Sequence, residues 1–93
     1  MLETAQQVLG HLREQGRMMN RLLERLALAE SPSTEPRAQY EVLDILSEAL
    51  VEIGYAAWRV PGRRSGGHLY ARPGARAHHA PVQLLLGHCD TVW

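Results

Sequence analysis

The chain contains one cysteine, Cys89, so it forms no internal disulfide and offers no Cys-x-x-Cys pair for metal or redox chemistry. It has no net charge: ten Lys and Arg residues balance ten Asp and Glu residues. That balance argues against a nucleic-acid or acidic-membrane partner held by bulk electrostatics. No apolar run is long enough to span a membrane. The start, Met-Leu-Glu-Thr-Ala-Gln-Gln, lacks the basic stretch and apolar segment of a secretory leader. A soluble, cytoplasmic protein is the expectation. There is no internal repeat. What is present is an ordinary globular composition, 45% hydrophobic and 22% charged over 93 residues. This argues against overall disorder and suits one small domain or part of a larger one.

Leu2, Ala5, Leu9, Leu12, Met19, Leu22, Leu23 and Leu26 recur at spacings of three and four, which predicts one long amphipathic helix over about residues 3–29. Gly10 and Gly16 weaken it, each by roughly 1 kcal/mol relative to alanine. Pro32 stops simple continuation, and Ser33 or Thr34 can cap a second helix over about 35–53. Its apolar face is Ala38, Val42, Ile45, Leu46, Ala49, Leu50 and Ile53, and Gly54 is its natural stop. The pattern then changes to strands over about 55–60, 68–72 and 82–86, joined by the turn-rich loops 61–67 and 73–81. Trp58 and Tyr70 are placed to pack across neighbouring strands.

The order helix-helix-strand-strand-strand gives an α/β chain with an incomplete architecture. Val82-Gln-Leu-Leu-Leu86 reads as a central strand, apolar on both faces. A mixed or parallel sheet that buries such a strand needs helices on both sides. Here both helices precede it, so either an oligomer or sequence beyond Trp93 is expected to cover it. Marginal stability and self-association of the isolated chain follow.

The strand leads into Gly87-His88-Cys89-Asp90-Thr91-Val92-Trp93. If the chain stays extended past Gly87, His88 and Asp90 share a side. Neutral imidazole is a good zinc ligand. A ligating histidine usually gives its other N–H to a carboxylate, so Asp90 is a candidate orienting partner or a ligand itself. Spacing alone leaves a second reading open, in which His88 is a hydrogen-bonded residue after a strand, Gly87 a terminator and Thr91 a turn former.

The longer string Leu84-Leu-Leu-Gly-His-Cys-Asp-Thr-Val-Trp93 closely resembles the first metal-binding motif of a metallopeptidase family. That family includes carboxypeptidase G, acetylornithine deacetylase, succinyl-diaminopimelate desuccinylase and aminoacylase. Glu30-Ser-Pro-Ser33 resembles the short serine-rich segment after the family's first helix, and the order of elements is similar too. The resemblance implies the N-terminal part of a mixed-sheet zinc-exopeptidase catalytic domain. It implies that His88 is a zinc ligand and that Asp90 is the active-site acid orienting it. Cys89 falls at a variable position. The implied cofactor is zinc, two ions in the intact enzyme, with cobalt or manganese as alternatives. The implied substrates are N-acyl amino acids or small peptides with a free carboxylate. The family's bridging aspartate, paired glutamates and late histidine all fall downstream of this motif. The chain therefore matches the opening quarter of such an enzyme and is expected to be inactive alone.

The remaining features have plainer readings. Arg59, Arg63, Arg64, Arg72 and Arg76 form a solvated basic rim. His78 and His79 sit in a solvated loop, His68 begins a strand, and His11 lies on the polar side of the first helix. Met18 and Met19 fill gaps on an amphipathic face. The glycine-rich loop 61–67 lacks the Gly-Lys-Ser/Thr ending of a phosphate loop. Two alternatives to the hydrolase stand. One is a non-catalytic α+β interaction domain that self-associates through the long helix. The other is a mononuclear zinc module built from His88, Asp90 and one of His68, His78 or His79.

Overall fold

Leucine and alanine at helical spacing produce two helices rather than one: α1 (Leu2–Glu14) and α2 (Gly16–Ala29). The computed structural model describes residues 2–75 and 79–92. The break falls at Gln15, whose φ of −88° and ψ of 3° leave the helical basin. Its N–H is shared between the carbonyls of His11 and Leu12, both at 3.1 Å, so the ladder tightens for one residue. Gly16, unconstrained by a Cβ, lowers the resistance to that break.

α2 ends at Glu30, which takes a left-handed φ of 47° and turns the chain into Ser31 and Pro32. The second helix does not begin at 35 as its pattern predicts. A 3-10 turn (Pro36–Ala38) comes first, and α3 (Gln39–Glu52) follows. No side-chain cap forms at either start, so Ser33 and Thr34 do not serve as caps. Proline explains the difference. The residue before it is pushed out of the helical region, and Glu35 has φ −120° and ψ 84°. The amides of Glu35 and Ala38 find the carbonyls of Pro32 and Glu35 instead, each at 3.0 Å. α3 stops as predicted at Gly54, whose φ of 90° suits glycine.

β1 (Tyr55–Val60) and β2 (His68–Pro73) pair antiparallel with Tyr55 opposite Pro73 and Val60 opposite His68. Loop 61–67 is the hairpin connection its glycines predict. At Gly67, with φ 100°, a Cβ would lie 2.3 Å from the Val60 carbonyl oxygen, so only glycine fits. Trp58 and Tyr70 are register partners with ring centroids 5.7 Å apart, and the Arg72 guanidinium lies 5.2 Å over the Trp58 ring. Arg59 donates to the Asp44 carboxylate and, at 3.1 Å, to the Tyr40 carbonyl, tying β1 to α3. Two members of the expected basic rim are thus engaged with the fold, and Arg76 lies outside the described residues.

α3 packs against β1 and α2. Its buried apolar residues are Val42, Leu43 and Ile45. Leu43 lies off the predicted stripe, and Ile53, on it, is exposed. α1 buries none of its residues. No helix among the described residues is long and apolar enough to cross a membrane.

Among the described residues the chain is thus a mixed α/β structure of three α-helices and a two-stranded antiparallel sheet. The expected third strand is the main correction: among the described residues, 82–86 form no strand. β1 and β2 pair with each other, and among the described residues no strand is brought alongside the run. Leu85 and Leu86 are 92% and 88% exposed. The radius of gyration, 15.4 Å, exceeds the roughly 12 Å of a compact domain of this length.

Candidate functional site

Beyond the apolar run the backbone is caught again. The N–H of Thr91 donates to the Ser31 carbonyl at 2.8 Å, and Pro32 and Thr91 form a parallel bridge. The Ser31 hydroxyl donates to the Cys89 carbonyl at 2.7 Å. Ser31 is fully buried, at 0% exposure. A buried hydroxyl needs a partner, and the Cys89 carbonyl, 58 positions along the chain, supplies it.

The segment held this way alternates. His88, Asp90 and Val92 are exposed, whereas Cys89 and Thr91 are half-buried. A period of two is the signature of extended backbone, with alternate side chains on opposite sides. His88 and Asp90 therefore share the open side, as their spacing predicts.

A second buried polar residue extends the joint. The Gln39 side-chain amide donates from Nε2 to the Pro32 carbonyl at 3.3 Å, and its Oε1 accepts from the Gly66 N–H at 2.8 Å. Gln39 thus links the Ser31–Pro32 bend to the β1–β2 loop from the first turn of α3. Neither Ser31 nor Gln39 is singled out by periodicity. Ser31 lies in the serine-rich segment noted above. Gln39 carries no signal beyond its place near a helix start.

Burial pushes the Cys89 thiol above its ordinary pKa, and the Asp90 charge pushes the same way; a backbone hydrogen bond at Cys89 partly opposes them. Burial and the neighbouring charge thus disfavour the thiolate.

As donors, His88 and Asp90 match an imidazole with a neighbouring carboxylate. A zinc centre takes three or four protein ligands. Among the described residues, no group of three or more His, Cys, Asp or Glu is placed to hold a metal ion. The pair thus fits one corner of a centre. His68 stands on β2 opposite Val60, His79 is exposed, and His78 lies outside the described residues. A groove of about 410 Å³ between α2 and α3, lined by Arg25, Leu28, Ile45 and the carboxylates of Glu41, Asp44 and Glu48, includes neither His88 nor Asp90.

No family model, no curated protein and no solved structure matches this chain.

Proposed function

We propose that this chain is the N-terminal portion of a metal-dependent hydrolase that cleaves amide or peptide bonds in N-acyl amino acids or small peptides. His88 is a metal ligand and Asp90 the carboxylate that orients it. Zinc is the proposed metal, with cobalt or manganese as alternatives. The proposed setting is cytoplasmic, with a small-molecule substrate and neither nucleic acid nor membrane as partner.

One observation carries this proposal. The two segments that resemble the family, Ser31–Pro32 and Cys89–Thr91, are hydrogen-bonded to each other, and His88 and Asp90 emerge on the open side of that pairing. When bound, zinc supplies a Lewis acid for an amide carbonyl and acidifies a water. Asp90, accepting the second N–H of His88, would select the tautomer that leaves the other nitrogen free for a metal.

The test is hydrolysis of N-acyl amino acids by the gene product as its source produces it. His88→Ala is expected to abolish release of the free amino acid. Asp90→Asn is expected to lower it about 10–100-fold. Hydrolysis indifferent to both substitutions and to chelation would overturn the assignment. The isolated chain is expected to be inactive, having only a corner of the centre.

A separate observation favours a second reading, a non-catalytic domain that self-associates. α1 buries nothing, and its Leu2, Val8, Leu9 and Leu12 are exposed. A self-associating chain whose native form shows no His88-dependent metal binding would favour it.

A further inference from the structure

A fully buried serine at a helix–helix joint needs a reason, because leucine or alanine would pack there without polar atoms to satisfy. Ser31 has two long-range bonds. Its hydroxyl holds the Cys89 carbonyl at 2.7 Å, and its own carbonyl holds the Thr91 N–H at 2.8 Å. These contacts flank Asp90 on both sides and lie within three positions of His88. Gln39, also buried, anchors the neighbouring Pro32 carbonyl to α3 and to the Gly66 N–H. The grip on residues 89–91 is therefore backed by the core helix and the hairpin loop. Without it, no backbone pairing among the described residues fixes the direction of the chain from 81 to 90.

We propose that Ser31 is a positioning residue: its buried hydroxyl sets the extended conformation of residues 88–92 and so presents His88 and Asp90 on one side. The positioning rests on geometry. Only the role of the presented pair rests on the proposed function. Thr91 and Cys89 report on the grip, and Cys89, as the sole cysteine, is a built-in chemical probe.

The experiment uses the full chain in chelator at pH 7, with wild type, Ser31→Ala and Ser31→Thr compared. Three quantities are read: the rate of Cys89 alkylation, the exchange rate of the Thr91 amide, and the helical circular dichroism. A separate titration with cobalt(II) alone, without chelator, follows amide shifts that vanish in His88→Ala. In Ser31→Ala the circular dichroism is expected to persist. Alkylation and exchange are expected to rise about tenfold, as loss of one hydrogen bond to a partly buried carbonyl would give. The cobalt shifts are expected to weaken. Ser31→Thr, which keeps the hydroxyl, is expected to restore alkylation, exchange and the cobalt shifts.

Unchanged alkylation and exchange in Ser31→Ala would overturn the proposal, and so would failure of Ser31→Thr to rescue. If Ser31→Ala does not fold, Thr91→Pro decides. It deletes the amide donor from the other side, and unchanged Cys89 alkylation there would overturn the proposal. A wild type without His88-dependent cobalt shifts, but whose Thr91 and Cys89 still answer to Ser31, supports the positioning and leaves the metal to the hydrolysis test on the native gene product.

Discussion

Gly66 has no room for a methyl group. A Cβ there would lie 2.6 Å from both the Gln39 Cβ and the Pro36 carbonyl oxygen, and the Gly66 N–H is already committed to Gln39. Gly66→Ala is expected to destabilise the chain by about 1–3 kcal/mol through overpacking, read as a lower urea midpoint. Cys89 provides a pH-dependent test in metal-free buffer. Burial and the Asp90 charge disfavour its thiolate, so the folded-state pKa is raised. The resulting stability is fully present below the ordinary thiol pKa and is lost as pH rises through the folded value. The thiolate absorbance of the native chain is expected to appear at higher pH than in urea, and Asp90→Asn is expected to move it back part of the way. Coincident native and denatured titrations would contradict this. At this scale the sequence was a mixed guide. The sidedness of His88 and Asp90 followed from their spacing only once the backbone there is extended, as the Ser31 contacts hold it. The partners of Ser31 and Gln39 did not, because a polar residue's partner is set by what the fold brings to it.

Among the elements, α3 carries the core. Val42 and Leu43 are 1% and 2% exposed, whereas Leu85, in the run that reads as a central strand, is almost fully open. Leu43→Ala is expected to cost about 2–5 kcal/mol. Leu85→Ala is expected to stay within about 0.5 kcal/mol of wild type. Urea unfolding followed by circular dichroism checks both, and similar losses would mean that Leu85 is buried in solution. The helices and the hairpin were legible because their signals are local: leucine spacing, Gly54 after α3, and a glycine-rich loop between two short runs. The break at Gln15 and the 3-10 start of α3 were missed, because each turns on one or two backbone angles that an apolar stripe does not encode.

For the whole molecule, the balance of surface is unusual. Val82, Leu84, Leu85 and Leu86 are exposed together, as are the apolar residues of α1. The net charge is zero, which leaves little repulsion between copies. The isolated chain is therefore expected to self-associate, with a weight-average mass in sedimentation that rises with concentration. The double substitution Leu85→Glu and Leu86→Glu is expected to reduce that rise. A monomer at all concentrations, melting in one cooperative step, would count against it.

The sequence by itself determined the elements whose causes lie within a few residues: helical periodicity, the glycine stop after α3 and the hairpin loop. Only the tertiary structure decided what those elements meet. Apolar character marks Val82–Leu86 as able to be buried, but burial requires a neighbouring strand, and β1 and β2 pair with each other. The joint between Ser31 and residues 89–91 likewise spans 58 positions and rests on hydrogen bonds. Such bonds form wherever packing brings donor and acceptor within 3 Å or so, and no periodicity of the chain announces them.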